Sequence, residues 1–260
     1  MVDINKRKEA LRLIKKLYNM GENCLYIHYS SYSYEQGIPR ITSISVKFFS
    51  GQTKTFSINK EAVLSNITDI TKNLDQLEKA LITKFISFSE KHQGYNWIHW
   101  NMRNEKFGFN VIENRAFSLK VSNKYKIPVE RRFDLAILLK NIYSEKYASH
   151  PRLENLAIMN KMDGKIGNLW KTGKEEANLA LNFEFKDIEN SNIEKVDFIE
   201  EIHQRTAENK LKNKAKITDI YSFLNPHSIV YFLQNNWIGY FITLILGGII
   251  GAVISLLFAS

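Results

Sequence analysis

The sequence predicts an α/β fold, a mixed sheet covered by helices, followed by a single C-terminal transmembrane helix. Three strands, a helix, a fourth strand and then a run of helices follow one another, an order typical of α/β domains. Hydrophobic residues make up 44% of the 260 residues, enough for a buried core. The final segment, residues 237–260, carries no charge. As a helix it covers roughly 35 Å, more than the roughly 30 Å of a hydrocarbon core.

The pattern divides the chain into four parts. We expect an N-terminal amphipathic helix over residues 1–20 and the α/β domain over residues 21–205. A linker or membrane-proximal segment follows over residues 206–236, and the transmembrane helix covers residues 237–259. Because the apolar stretch comes last, the sequence predicts a tail-anchored protein.

The strands are predicted from apolar content and period-two alternation. Residues 24–29 form a short apolar and aromatic strand, and residues 41–49 alternate polar with apolar side chains. Residues 50–52 contain a glycine and turn the chain into residues 53–58, which predicts a β-hairpin. Residues 96–100 form a fourth compact strand.

Helical spacing of apolar side chains predicts the remaining elements. One amphipathic helix precedes the first strand, over residues 5–19. Further helices are predicted over residues 61–91, 103–115, 133–143 and 152–161. The acidic stretch 174–205 is predicted to form two helices that separate near residues 190–192.

The chain is basic, but its charge is unevenly distributed. The formal net charge is +9, although residues 171–201 hold nine acidic and four basic side chains. A basic body indicates an anionic partner, either nucleic acid or lipid headgroups. Solubility combined with attraction to a membrane surface is the alternative.

The cysteine content and the position of lysines predict where the protein resides. The single cysteine, Cys24, excludes a disulfide framework and fits a reducing compartment. Lys210, Lys212, Lys214 and Lys216 precede the apolar segment, as cytoplasmic flanks do. The basic N-terminal helix lacks the apolar region of a signal peptide. We therefore expect a single-pass protein of the bacterial inner membrane with a cytoplasmic N-terminal domain.

Five segments in order resemble the DEDD (DnaQ-like) 3′–5′ exonucleases of the RNase H-like fold. They are the first strand with residues 27–30, the hairpin, the phrase 101–105 after the fourth strand, and the helices with residues 134–138 and 153–157. In that family the first strand carries Asp-x-Glu, a phrase His-Asn-x-Arg-x-Asp follows the fourth strand, and Asp-x-Leu and Leu-x-x-Leu-Ala helices come later. The resemblance covers roughly residues 22–200 and implies an RNase H-like sheet.

The positions that carry metal ligands in the exonucleases differ here. His28 and Ser30 stand where the first Asp and Glu belong, and Glu105 stands at the Asp of the second motif. Two-metal hydrolysis needs several carboxylates around cations about 4 Å apart, and a hard cation binds poorly without them. The sequence also has no glycine-rich phosphate loop and no Cys/His set with zinc spacing. We therefore predict no catalytic residue, no metal and no cofactor, and an active tail-anchored exonuclease is the alternative.

An exonuclease-like groove without metals can still bind a single strand of nucleic acid. Such binding uses basic side chains along the backbone and aromatic faces against bases. The candidate residues are Tyr32, Tyr34, Trp100, Asn101, Arg103 and Lys106. The alternatives are a core position for the rings, which we favour for Trp97 and Phe107, and a plain surface position for the others. The predicted partner is a short single-stranded DNA or RNA oligomer.

Small residues in the apolar segment predict self-association. Gly247 and Gly251, like Gly248 and Ala252, are four positions apart, so that two helices in a bilayer can approach closely along this face. A homo-oligomer follows, with a tetramer favoured. The alternative is a generic anchor, because glycine is common in membrane helices.

The whole architecture resembles the Hailong-type transmembrane effectors of bacterial anti-phage defence. In that family short single-stranded DNA oligomers hold a membrane channel inactive. The resemblance implies a membrane effector, an oligomeric channel and a nucleotidyltransferase that makes the ligand. A third hypothesis is a membrane-anchored scaffold that binds a protein partner through the acidic residues 175–201.

Overall fold

A five-stranded mixed sheet forms the centre of the protein. The computed structural model describes residues 2–32, 39–162 and 169–258. The strands are β1 (Cys24–Ser31), β2 (Ile41–Phe48), β3 (Thr53–Ser57), β4 (Asn96–His99) and β5 (Arg132–Asp134). Their order in the sheet is β3-β2-β1-β4-β5. The strand β2 is antiparallel to both of its neighbours, β1 and β3, whereas β1, β4 and β5 run parallel to one another.

Helices surround this sheet, and one apolar helix ends the described chain. In order they are α1 (Ile4–Asn19), α2 (Ile58–Leu64), α3 (Leu74–Lys91), α4 (Phe109–Ser118), α5 (Leu135–Tyr143), α6 (Arg152–Met159), α7 (Gly173–Leu181), α8 (Phe185–Ala207), α9 (Ile217–Ile220), α10 (Pro226–Asn235) and α11 (Trp237–Phe258). The α/β class, the mixed sheet and the single C-terminal apolar helix are therefore as the sequence predicts.

The two faces of the sheet are covered by different helices. Successive side chains of a strand point to opposite faces, and β1 uses both. Leu25, Ile27 and Tyr29 join the core that contains side chains of α3 and α4, and Cys24 and Tyr26 join the core that contains side chains of α1, α5 and α8. The central strand is thus buried on both sides, and only its ends can reach solvent.

The long helix α8 is attached to the sheet by polar contacts. The Asn192 side chain donates to the Ser43 carbonyl at 2.9 Å, and Lys47 pairs with Asp197 at 2.6 Å. The Tyr26 hydroxyl lies 2.8 Å from His203 Nδ1, while His203 Nε2 lies 3.1 Å from the Ile14 carbonyl. These contacts connect the sheet, α8 and α1 into one unit.

The helix predicted over residues 103–115 begins six residues later, at Phe109. The Asn104 side chain accepts hydrogen bonds from the backbone N–H groups of Lys106 and Phe107, which holds a turn instead of a helix. Gly108 is extended and forms a bridge with Arg103. The short-range bonds of an asparagine side chain therefore outweigh the helical pattern, and residues 101–108 form a loop.

Two predicted helix boundaries are also wrong. The break expected near residues 190–192 lies inside α8, because Ser191 and Asn192 find hydrogen-bond partners outside their own helix. The chain separates instead at Phe183, whose φ is 61°. The helix predicted over residues 61–91 is interrupted between α2 and α3, where Asn66 has a φ of 53°.

The pattern does not predict the strand β5, because two of its three residues, Phe133 and Asp134, fall in the helix predicted over residues 133–143. Residues 206–236, predicted as a linker or membrane-proximal segment, contain the end of α8 and all of α9 and α10. The Arg7 side chain, on α1, donates to the Ile142 carbonyl at 2.9 Å and to the Tyr231 hydroxyl at 3.3 Å. The membrane-proximal helix α10 is thereby attached to the domain.

The helix α11 is long and apolar enough to cross a membrane, and no residue of its most apolar window is buried. It follows α10 after one residue, and the two helices cross closely. A Cβ atom on Gly239 would lie 2.5 Å from the Phe232 carbonyl oxygen, so that the crossing requires a glycine. The described residues contain one helix of this kind.

Candidate functional site

The carboxyl end of β1 opens into a cleft of about 450 Å³. Residues at the end of β1, the loop 101–108, and the amino ends of α6 and α7 line it, together with one side chain of α8. Sites in α/β sheets commonly lie outside the carboxyl ends of parallel strands. The cleft includes both positions, His28 and Ser30, at which the exonuclease resemblance implies lost carboxylates.

His28 lies at the floor of the cleft in neutral form. Its side chain is 8% exposed, and burial lowers its pKa well below the ordinary value, with a smaller contribution from the Lys195 charge. The imidazole packs beside the Phe107 ring, with 5.6 Å between the centroids. Within the described ranges the Nδ1 atom has no hydrogen-bond partner. His28 therefore contributes a neutral ring to the wall of the cleft, with one enclosed nitrogen unpaired among the described residues.

Ser30 belongs to a buried polar network that includes an ion pair. Its hydroxyl donates to Glu176 Oε2 at 2.9 Å. The other carboxylate oxygen of Glu176 accepts from Ser191 Oγ at 2.7 Å and pairs with Lys195 Nζ at 2.5 Å. All four side chains are buried. An ammonium group thus lies close to the positions where the exonucleases hold cations.

This network opposes a divalent cation. The charge of Lys195 repels a metal ion, and the oxygens of Glu176 already accept three hydrogen bonds. Among the described residues, no group of three or more His, Cys, Asp or Glu side chains could hold a metal. Glu105, the third degenerate position, is exposed on the loop and does not line the cleft.

Asn101 and Arg103 do not line the cleft and lie instead where β4 and β5 end. Asn101 has a φ of 56°, and its N–H donates to Asp134 Oδ1 at 3.2 Å. The Arg103 guanidinium donates to Asp134 Oδ2 at 2.5 Å and to the Asn101 side chain at 2.9 Å. Asp134 also caps α5 through the Ala136 N–H. The loop that carries Arg103 is therefore fixed by one carboxylate.

The other predicted binding residues divide between the cleft and the core. Lys106 and Tyr32 line the cleft, and the Tyr32 hydroxyl donates to the Ala180 carbonyl at 3.0 Å. Trp100 is 6% exposed and packs in the core beside α5, so its ring offers no face to a base. Tyr34 lies outside the described residues. Phe107 packs against the core, as expected, with its ring stacked on that of Tyr29 at 4.6 Å between centroids, and it also lines the cleft.

Several lining residues lie in the acidic stretch or just before it, and none of them is among the predicted binding residues. Trp170 and Lys171 precede α7, and Lys195 lies on α8. The Lys195 ammonium lies 5.4 Å from the centre of the Trp170 ring. A sequence signal for this element was present, because Thr172 and Glu175 form the capping box that marks a helix start. The position of α7 beside β1, in contrast, depends on contacts between residues that are separated by roughly half the sequence.

The charges of the cleft favour an anion over a metal. Three lysines line it, Lys106, Lys171 and Lys195, together with two glutamates, Glu154 and Glu176. One lysine and one glutamate neutralise each other inside the wall. The site also contains aromatic side chains and the amino end of a helix, both suited to a phosphate-containing strand.

The span offers a second candidate surface. A Cβ atom on Gly247, Gly248 or Gly251 would meet no other atom within 4 Å. The packing of the single chain therefore does not require these three glycines. Ala252 is exposed beside them. Gly247 and Gly248 also line an apolar groove between α10 and α11.

Comparisons of the chain with protein-family models, with curated proteins and with solved structures found no match.

Proposed function

We propose that this protein is a membrane effector of bacterial anti-phage defence. In this proposal a short single-stranded oligonucleotide in the cleft controls an oligomeric channel formed by the C-terminal spans. The observation that carries it is the cleft at the end of β1, which Lys106, Lys171 and Lys195 line. His28 and Ser30 in this cleft stand where the resemblance to exonucleases would place metal-binding carboxylates. The roles in defence and as a channel are those that the resemblance to Hailong-type effectors implies.

The arrangement of strands supports an RNase H-like domain. The first strand has a hairpin on one side and the fourth strand on the other, which agrees with the resemblance to DnaQ-like exonucleases. His28, Ser30 and Lys195 at the end of that strand support the loss of catalysis. A protein that binds an oligonucleotide without cleaving it can use the presence of that oligonucleotide as a signal.

The chemistry of the cleft supports a strand as ligand. Lysines attract the phosphate backbone, and aromatic rings stack on bases regardless of sequence. Phe107 and Trp170 provide rings at the cleft, and Lys106 provides a cation at its edge. Arg103 lies on the same loop as Lys106, so a strand that leaves the cleft over this loop meets a second cation.

Control of the span requires several copies. A single transmembrane helix uses its backbone polar groups internally and encloses no aqueous path. A channel therefore needs several spans around one axis, and a tetramer is the arrangement we favour. Binding of the strand shifts the population between closed and open arrangements. The contact of Arg7 with Ile142 and Tyr231 provides a physical connection between the domain and α10.

The localisation and the source of the ligand belong to the same proposal. We place α11 in the inner membrane with the domain on the cytoplasmic side. A nucleotidyltransferase in the same cell makes the oligonucleotide. Destruction of the oligonucleotide during infection then opens the channel.

The test is binding of labelled single-stranded DNA and RNA by the full chain in mild detergent, measured across salt concentrations. Affinity should fall steeply with salt, because counterions are released on binding. Lys106→Ala should weaken binding and lower the slope of log affinity against log salt by about one. Lys79→Ala is the control, since this exposed lysine of α3 does not line the cleft.

Two outcomes would favour other functions. If no strand binds at about 50 mM salt, where phosphate contacts are strongest, the protein-binding scaffold becomes the better hypothesis. The two glutamates that line the cleft, Glu154 and Glu176, are the observation that favours an active exonuclease. Degradation of the strand with Mg²⁺ or Mn²⁺ that is lost in Glu154→Gln, with the domain still folded, would establish that activity.

A further inference from the structure

The uncharged part of the chain begins well before the span. Residues 220–258 contain no Asp, Glu, Lys or Arg side chain, although α11 starts only at residue 237. The residues in between include a loop and the whole of α10. Leu224 in the loop is 93% exposed, and Phe223 beside it and Val230 on α10 are also exposed. The domain therefore leaves large apolar side chains uncovered next to the span.

The polar groups of this loop are paired within the segment. The Asn225 side chain accepts from the His227 N–H at 3.0 Å and caps α10. The Ser222 N–H donates to Ser228 Oγ at 2.8 Å, and the Asn225 N–H donates to the Ser222 carbonyl at 3.2 Å. Pro226 begins the helix without an N–H group. Since unpaired backbone polar groups are excluded from hydrocarbon, this pairing suits a loop that lies against a bilayer.

The helix α10 lies beside the first half of the span. Val230 and Leu233 on α10 line one groove, of about 750 Å³, with Gly247 and Gly248 on α11. Gly247 comes ten residues after Trp237, which is about 15 Å along a helix and about half of a hydrocarbon core. With α11 across a bilayer, the groove therefore opens to lipid acyl chains. The exposed side of α10 then borders the same lipid.

Lysines lie at the edge of this apolar surface. The amino end of α1 packs on it: the Val2 N–H donates to the Ile220 carbonyl at 3.4 Å, and the Lys8 ammonium lies 4.8 Å from the centre of the Tyr231 ring. Lys6 and Lys8 are both exposed. The whole of α1 carries six basic side chains and one acidic side chain. Apolar side chains bordered by lysines are typical of segments in the interface of anionic membranes.

Two acidic side chains at this edge have partners within the chain. Asp3 caps α1 by accepting from the Asn5 N–H at 2.8 Å, where the helix dipole is positive. Asp219 pairs with Lys146 at 2.8 Å. Their charges are thus partly compensated, and the edge as a whole attracts anions.

We propose that the loop with Phe223 and Leu224 and the helix α10 lie in the membrane interface, where Lys6 and Lys8 bind anionic phospholipid headgroups. The placement of α11 in a bilayer rests on the proposed function, whereas this surface requires neither an oligonucleotide nor a channel. The protein then has a second contact with the membrane besides its span. Because α10 packs on α1, this contact holds the domain at a fixed distance from the lipid.

The experiment measures lipid contact of the full chain in nanodiscs of phosphatidylcholine and phosphatidylglycerol. Leu224→Cys, Val230→Cys and, within the span, Ile250→Cys each carry the same fluorophore, and phosphatidylcholine with a doxyl group on an acyl chain is the quencher. Cys24 is buried, and the wild-type chain treated with the fluorophore gives the background. Val63→Cys is the control, because this exposed position on α2 follows β3, at the edge of the sheet opposite β5. The first three labels should lose fluorescence, and the label at Val63 should keep it.

A second measurement tests the headgroups. Doxyl-labelled phosphatidylglycerol replaces the phosphatidylcholine quencher at the same mole fraction, with the label at Leu224. Quenching should be stronger, because a lysine near the surface enriches anionic lipid by about fivefold, equivalent to about 1 kcal/mol. The double variant Lys6→Gln and Lys8→Gln should make the two quenchers equal. Lys79→Gln, which removes an exposed charge of α3, should keep the difference.

The outcomes separate this proposal from the proposed function. If the label at Ile250 is quenched and those at Leu224 and Val230 are not, water or another copy covers α10, and the interfacial surface is overturned while the span stands. If the label at Ile250 is not quenched, both proposals fail. If phosphatidylglycerol quenches no better than phosphatidylcholine, or if the double variant keeps the difference, headgroup binding by the two lysines is overturned. If every label behaves as expected but no oligonucleotide binds, the proposed function fails and the interfacial surface stands.

Discussion

The domain around the cleft and the C-terminal span differ in their content of charged side chains. The domain buries several charged side chains in ion pairs: Lys195 pairs with Glu176, and Arg115 pairs with Glu78 at 2.5 Å. In the span, residues 237–258 contain no charged side chain, and their apolar side chains face outward. The contacts that define the cleft are therefore internal to the chain. Beyond its crossing with α10, the span has few contacts within the described chain, and as a membrane helix it would take its other contacts from lipid or from further copies.

This difference determines what a single substitution does in each region. Removing one partner of a buried ion pair leaves the other charge without compensation, which destabilises the fold. Replacing a residue of the span changes no contact of this kind within the chain. The following predictions test this contrast, beginning with the largest expected effect.

Lys195→Met should lower the free energy of unfolding of the domain by about 3–5 kcal/mol, because Glu176 then remains buried without its cation. The measurement is urea unfolding of the full chain in detergent, followed by fluorescence of the buried tryptophans. Adding Glu176→Gln to this variant should recover most of the loss, since the uncompensated charge is removed. A loss below about 1 kcal/mol, the range of exposed pairs, would show that water reaches the pair.

The comparison also explains how much the sequence could predict. Strands and the apolar span follow from local patterns, so that β1, the hairpin and α11 lie close to their predicted bounds. The polar network of the cleft joins Ser30 to Glu176, which are 146 positions apart in the sequence. A local sequence pattern does not predict a contact between residues so far apart. The same limit explains why Trp100 was a binding candidate, because aromatic residues in a strand look alike whether they face solvent or core.

The pH dependence of stability should also be confined to the domain. Burial lowers the pKa of His99 and of His203 to about 4, against an ordinary value of 6.5. Between these values the unfolded chain takes up protons that the folded chain does not. Stability therefore falls as pH decreases from about 6.5 to about 4, by up to about 1.4 kcal/mol per pH unit for each histidine. His28, whose pKa is also lowered, acts in the same direction.

One glutamate opposes this trend. Burial raises the pKa of Glu194 to about 7, from an ordinary value of 4.5, so the folded chain holds a proton there that the unfolded chain has lost. Its contribution to stability grows as pH decreases from 7 to 4.5 and offsets about one histidine. Unfolding measured at pH 7, 6 and 5 should still show a net decrease. His203→Gln should make that decrease shallower, and stability that rises toward pH 5 would contradict the assignment.

The smallest effect on the domain is expected in the span, where substitutions should act between copies. Gly251→Leu should change the free energy of unfolding of the domain by no more than about 0.5 kcal/mol, because a side chain at this position meets no atom of its own chain. It should nevertheless prevent close approach of neighbouring spans. In mild detergent with ligand, the mass should then fall from that of a tetramer to that of a monomer, and protection against phage should be lost.

Gly239→Leu provides the matched comparison, since it adds the same side chain at a glycine of the same helix. There the Cβ would lie 2.5 Å from the Phe232 carbonyl oxygen, so the crossing of α10 and α11 must change within a single chain. Gly239→Leu should therefore alter the protease accessibility of α10 in a monomer, whereas Gly251→Leu should not. Full protection in Gly251→Leu, together with a monomeric wild-type protein in the presence of ligand, would reduce the span to a passive anchor. The cleft would then act without it.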